Sequence, residues 1–184
     1  MVIRRAQFNL ILLLLVMSVV GCALFKPNPK KAKATLRVHL ECNPGLFDRT
    51  ETVSVVRAAP MQVTIEKAPF LTEAVLESAQ VVDIPNGYVL SAKFNQQGSR
   101  LLEQYSALNS YRRFAIRAQF RQETNVFDRW LAAPVIQGRI SNGTLTFTPD
   151  ATRAECEDIV RGWNNSAGYK EPPKKDQANS TEAN

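Results

Sequence analysis

The sequence predicts an α+β fold in which an antiparallel sheet carries two main helices on one face and is preceded by N-terminal strands. Three observations carry this expectation. Short runs of apolar–polar alternation recur along the chain, separated by Gly, Pro and Asn turns, which is the signature of hairpin-connected strands with one buried face. Two segments switch to helical spacing, from Gln96 to Leu108 and around Cys156, Ile159, Val160 and Trp163. Each follows a pair of predicted strands, the order of a ferredoxin-like α+β sandwich.

Leu36, Val38, Leu40 and Cys42 alternate with Arg37, His39 and Glu41, so they predict a strand with His39 on its polar side. Asn43-Pro44-Gly45 ends it. Two further strands are expected over 53–57 and 61–66, the second with Met61, Val63 and Ile65 on one face. Thr72 can cap a short helical turn within 71–77. Segments 79–84 and 88–94 flank Pro85-Asn86-Gly87, and Asn-Gly between apolar runs signals a hairpin. Asn95 is placed to cap the first helix, whose apolar face would carry Leu101, Leu102, Tyr105 and Leu108, with Gly98 weakening its first turn.

Alternation resumes from Arg113 to Phe120, with Phe114, Ile116, Ala118 and Phe120 on one side and Arg117 on the other. Residues 121–129 read as a loop, 130–140 as a long strand, and Ser141-Asn142-Gly143 as the turn into a strand over 144–148. Thr148-Pro149-Asp150 is expected to open the last helix, with Thr148 as the cap and Pro149 in the first turn.

The N-terminus bears on location. Arg4 and Arg5 precede an apolar run from Leu10 to Val20 that ends in Val19-Val20-Gly21-Cys22. Charged start, apolar core and small-residue end describe an export signal, and the run is short for a permanent span, which needs about 20 apolar residues. The Val-Val-Gly-Cys ending resembles the lipobox of bacterial lipoproteins. That resemblance implies cleavage before Cys22 and lipidation of its thiol, with Ala23 permitting transfer to the outer membrane of a two-membrane cell. An ordinary secretory signal or an uncleaved anchor are the alternatives. The domain expectation is therefore a signal over 1–21, a basic tether over 22–34, one α+β domain over 35–165 and a polar, disordered tail over 166–184. The protein is expected in the cell envelope, lipid-anchored on the extracytoplasmic side.

The net charge is +6, of which Arg4 and Arg5 contribute two. The remainder is mild, and basic residues are not interleaved with aromatics in a nucleic-acid motif, so no nucleic-acid partner is expected. Cys42 and Cys156 form an even pair in an oxidising compartment, and a disulfide or two separate buried thiols are both open. The single histidine, His39, needs no catalytic role on a strand. Neither a nucleophile elbow, a metalloprotease pair, a phosphate loop nor a C-x-x-C motif is present. Glu155, Glu157 and Asp158 are explained by pairing along a solvated helix. The chain is therefore read as non-enzymatic, with no cofactor and no metal.

Residues 88–98 (YVLSAKFNQQG), Arg113-Phe114-Ala115-Ile116, Ala133-Pro134-Val135-Ile136 with Ile140 and Asn142-Gly143, and Thr146-Phe147-Thr148 form an ordered set. Across 71–163 this set resembles the head subdomain of the first periplasmic domain of the SecD/SecF protein-export factors, and the preceding strands resemble those of small envelope lipoproteins. The resemblance implies an extracytoplasmic domain that engages emerging polypeptide. The chain departs from that family in showing no multi-helix membrane domain and in its longer 121–129 segment, which puts a motor role in doubt. Two functions remain. One is a membrane-tethered accessory module contacting polypeptides or an envelope protein complex, through a sheet edge or the loop from Phe127 to Trp130, with Trp130, Phe127, Arg129 and Arg117 as the candidate contact residues. The other is a structural envelope lipoprotein binding cell-wall or scaffold components.

Overall fold

A computed structural model of the chain describes residues 32–45, 49–57, 59–122 and 125–169. The expected signal, nearly all of the tether, including Cys22, and the tail beyond Tyr169 lie outside the described residues. A compact unit begins at Ala32.

The expected α+β architecture is present. Its strands are β1 (Thr35–Leu40), β2 (Thr50–Val55), β3 (Met61–Glu66), β4 (Leu71–Thr72), β5 (Leu76–Ile84), β6 (Gly87–Phe94), β7 (Phe114–Gln122), β8 (Asn125–Ala132) and β9 (Thr144–Phe147); its helices are α1 (Gln96–Leu108) and α2 (Arg153–Ala167). All pairings are antiparallel, in three ladders: β4-β1-β7-β8, the hairpin β2-β3, and β5-β6-β9.

Local chemistry sets most boundaries. Thr72 accepts from the Ala74 amide and starts a single 3-10 turn, Glu73–Val75. Asn95 accepts from the Gly98 amide and caps α1 over the expected span. Gly98 is a requirement rather than a weakness, since a Cβ there would meet Phe94 Cβ at 2.9 Å and Val75 Cγ2 at 3.0 Å. Gly143 combines a φ of +66° with a close approach, and its Cβ would fall 2.2 Å from Ser99 Oγ. Leu108 departs from the expected apolar face of α1 and is 76% exposed.

Beside small shifts, such as β2 at Thr50–Val55 for the strand expected over 53–57 and β5 beginning at Leu76 for that over 79–84, three larger departures from expectation occur. Segment 121–129 is largely strand, because β7 runs to Gln122 and β8 begins at Asn125. The long strand expected over 130–140 ends at Ala132, after which the backbone is held by single contacts: Phe114 N–H donates to Pro134 O at 3.0 Å and Ile136 N–H to Arg112 O at 2.8 Å. Finally, α2 opens at Thr152 instead of Thr148. Thr152 and Glu155 close a capping box, while the Asp150 amide donates to Leu131 O at 2.7 Å and its carboxylate receives the Arg57 amide at 2.7 Å. Committed to those tertiary bonds, Asp150 stays outside the helix.

The main core joins Leu36 and Val38 of β1, Phe114, Ile116 and Phe120 of β7, Leu90 and Phe94 of β6, and Cys156, Ile159 and Trp163 of α2. Trp163 is fully buried and its Nε1–H donates to Thr35 O at 2.8 Å. Ala34, assigned in the sequence to the tether, is also core: a Cβ on Gly162 would meet its Cβ at 2.6 Å. A second cluster, Val55, Val63, Ile65, Ala115 and Ala133, lies under the β2-β3 hairpin. Cys42 is half-buried and Cys156 buried, and both are free thiols in this structure. Burial pushes the Cys156 thiol up to about 11.

Candidate binding surface

The four residues singled out by sequence do not form one surface. Phe127, Arg129 and Trp130 all lie on β8, the edge strand of its ladder, and not on a loop. Successive side chains on a strand point to opposite faces, so Phe127 and Arg129 face one way and Trp130 the other.

On the α2 side, Phe127 stacks on Phe120 with ring centroids 5.6 Å apart, and the Arg129 guanidinium sits 5.3 Å from the same ring. Arg129 Nη2 lies 2.8 Å from Glu155 Oε1, with side chains only 16% and 11% exposed. Nη2 and Nε nonetheless find no aligned acceptor, so the contact is a close charge pair more than a directed hydrogen bond. Burial alone would raise the Glu155 carboxyl, but Arg129 and the Thr152 amide and hydroxyl outweigh it and hold the group below its usual range. Arg129 is thereby an internal partner of α2, unavailable for outside contact.

On the opposite side, Arg117 of β7 and Trp130 come together. Arg117 holds Asp128 in a bidentate pair, Nε to Oδ1 at 2.7 Å and Nη2 to Oδ2 at 2.8 Å, and its guanidinium lies 5.6 Å from the Trp130 ring centroid. Trp130 in turn meets His39 edge-on, centroids 5.3 Å apart. Beside them opens a cleft of about 300 Å³ lined by Thr35, Arg37, Glu51, Gln119 and this Arg117–Asp128 pair, among others.

His39 corrects the sequence reading most sharply. It lies on the predicted face of β1 but is 3% exposed, because the β2-β3 hairpin covers that face. The Glu66 carbonyl 2.9 Å from Nδ1 can only accept, so Nδ1 carries the proton. Nε2 is sealed from solvent without a partner. Burial holds the imidazole below its usual value; Arg117 and Arg37 add to this, while the Glu66 bond and Glu51 oppose it. The ring is therefore neutral near pH 7. Asp128 and Glu155 organise the two faces; the two-residue alternation of 125–132, with Phe127, Arg129 and Leu131 against Val126, Asp128 and Trp130, is the signal that points to Asp128, whereas Glu155, expected on a solvated helix, is buried because it packs against Arg129.

Among the described residues no cluster of three or more His, Cys, Asp or Glu side chains is placed to hold a metal ion, and no helix is long and apolar enough to cross a membrane.

No protein-family model and no curated protein matches the chain. Solved structures do. One, described as a membrane component SecDF that enhances protein export, superposes with a TM-score of 0.51 at 19% identity over 73% of this chain and 64% of that one. Another, SecDF in a super-membrane-facing form, gives a TM-score of 0.52 at 19% identity over 73% of this chain and 19% of that one. The likeness is one of fold, and it agrees with the fold that the resemblance across residues 71–163 implied. The chain spans just under two thirds of the first structure and about a fifth of the second.

Proposed function

We propose that this chain is a non-enzymatic accessory module, held on the extracytoplasmic side of a membrane by lipid on Cys22, that contacts polypeptides or an envelope protein complex. The observation that supports this most is the fold likeness to SecDF, one example of which is described as enhancing protein export. The titratable groups fit the same reading. His39 and Glu155 are each engaged in holding the fold, the first through the Glu66 carbonyl and the second through Arg129 and the helix cap.

Contact is assigned to the outward part of β8 and the face beside it. Val126 is 55% exposed there, and Arg117, Asp128 and Trp130 flank it with the aromatic and guanidinium chemistry that anchors interfaces. An edge strand can also add an extended peptide through its main chain.

Two measurements test the reading. Metabolic labelling with a fatty acid should mark the wild-type protein and disappear in Cys22→Ala; persistent labelling removes the anchor. The full-length chain in detergent should bind a permanently unfolded, reduced and carboxymethylated polypeptide, and absence of binding removes the polypeptide partner. The charged cleft of about 300 Å³ beside Arg117 favours one second reading, a structural lipoprotein that takes a hydroxyl-rich cell-wall glycan. Co-sedimentation with purified cell wall in place of polypeptide binding would select it.

A further inference from the structure

The end of the domain opposite the point where the chain enters carries features that the fold does not use. Ala32 and Ala34 sit beside the C-terminal turn of α2, their carbonyls accepting from Asn165 and Ser166. β1 then runs six residues, about 20 Å at the usual rise per residue, before Glu41 N–H donates to Arg113 O at 3.0 Å. At that far end the α1 terminus, the start of β7 and residues 134–136 meet. The Tyr111 amide donates to Ile136 O at 2.8 Å, and Arg113 bridges Val135.

Three of the six exposed large hydrophobic side chains among the described residues gather here: Leu108 at 76%, Tyr111 at 86% and Val135 at 40%. Tyr111 also has a φ of +69°, a backbone region that an aromatic residue rarely occupies. The Ile136 bond holds it there, and the ring gains no internal packing from it. Strained backbone that presents an aromatic ring to water marks a surface kept for contact.

The charge beside this patch is specific. A cleft of about 730 Å³ adjoins it, lined by Arg49 and Arg112 together with Cys42, Asn43 and Glu66, among others. Among the described residues neither guanidinium makes an ion pair, whereas six of the twelve arginines are matched to carboxylates. Arg112 reaches only the Glu41 carbonyl, at 3.5 Å. The neighbouring Glu41 carboxylate is occupied by the Arg113 amide at 2.7 Å, and Glu66 is the one carboxylate lining the cleft. Among the described lining residues two guanidiniums stand against one carboxylate, with the Glu41 carboxylate still charged beside them.

We propose that this pole is a second docking surface, which takes a polypeptide segment combining apolar side chains with a carboxylate-rich stretch: Leu108, Tyr111 and Val135 receive the apolar part, and Arg49 and Arg112 the acidic part. It deepens the polypeptide-binding reading and rests on it.

The probes are two fluorescein-labelled synthetic peptides of equal length, one built of Leu and Glu and the other of Leu and Lys, titrated by anisotropy against the full-length chain in detergent. The acidic peptide should bind at least about tenfold more tightly, a preference worth one well-placed charge contact. The double variant Arg49→Glu, Arg112→Glu should reverse that preference. Tyr111→Gly, which suits the positive φ, combined with Leu108→Ser should weaken both peptides about tenfold, with the circular dichroism spectrum and thermal midpoint retained as the check on folding.

Equal binding of the two peptides, or variants that bind as wild type, would overturn the proposal. So would sedimentation showing that Leu108→Ser, Tyr111→Gly abolishes self-association, which would assign the pole to a second copy, or loss of binding to anionic phosphatidylglycerol vesicles in the same variant, which would assign it to lipid. If the unfolded polypeptide still binds while these variants change nothing, this pole fails and the broader reading stands.

Discussion

The two faces of the β4-β1-β7-β8 ladder are covered by unlike material. On one face α2 lays Cys156, Ile159 and Trp163 onto Leu36, Val38, Ile116 and Phe120, a continuous apolar core. On the other, the β2-β3 hairpin brings Val55, Val63 and Ile65 over Ala115 and Ala133, and beyond this small cluster the face is polar: His39, Arg117 and Gln119 with Glu51 and Asp128. The first face makes the fold; the second is a lighter cover that leaves charged chemistry near the β8 edge. Stability therefore rests chiefly on the first face, and the contact proposed above is assigned to the second.

Mutations should expose that asymmetry. Trp163→Ala removes a fully buried ring and its bond to Thr35 and is expected to cost about 3–5 kcal/mol, measured by chemical denaturation with unfolding of the whole domain. Ile65→Ala on the hairpin face should cost about 2–3 kcal/mol, the low end for such a truncation because a small cluster relaxes more readily. Its signature should be local: hydrogen exchange accelerated in β2 and β3 while β1 and β7 keep their protection. Equal loss of protection in both pairs would break the distinction between the faces.

Acid probes the hairpin face through His39. The folded ring is held below its usual 6.5, so the unfolded chain binds its proton first as pH falls. The stability contributed by the neutral ring is fully present above about pH 6.5, declines below it, and stops declining once pH passes the folded value. The groups facing the ring are Arg37 on β1, Glu51 on β2, Glu66 on β3, Arg117 on β7 and Lys67 in the adjoining cleft. No other histidine exists in the chain, so His39→Asn, which keeps a donor for the Glu66 carbonyl, should flatten the thermal midpoint between pH 7 and 5. A retained slope would place the titrating group elsewhere.

Smaller effects sharpen the comparison. Thr152→Ala removes half of the capping box on α2 and should cost about 1 kcal/mol. Arg117→Ala breaks a pair whose side chains are each 39% exposed, and its stability cost should stay below about 1 kcal/mol because solvent screens the pair. If Arg117→Ala matched Ile65→Ala in stability, the charged face would be part of the scaffold and not a contact surface.

What could be read in the sequence follows the same division. Where one face is buried and local caps agree with it, the chain announces itself: α1 with Asn95, β3 with Val63 and Ile65, and the apolar stripe of α2 all stand as expected. The hairpin face is opaque because burial there comes from a tertiary partner. His39 and Arg117 share the polar side of adjacent strands, yet one is sealed and the other half open, and only the placement of β2-β3 decides which. In β8 the alternation was masked by Asp128 and Arg129, whose charges are satisfied by Arg117 and Glu155 on opposite faces. The α2 start was displaced because Thr148 and Thr152 both offer a cap, and only Thr152 has a glutamate three residues on.

Site-specific photocrosslinking in the native envelope tests the central claim most directly, with a photoreactive residue at Val126 on the β8 edge and, for comparison, at Glu157 on the outer side of α2, positions that are both more than half exposed at the side chain or residue level. Polypeptide adducts from Val126, with few from Glu157, are the predicted result. Adducts from Val126 only with lipid or cell-wall material, or equal yields from the two positions, would contradict a polypeptide-contacting module organised around the β8 edge.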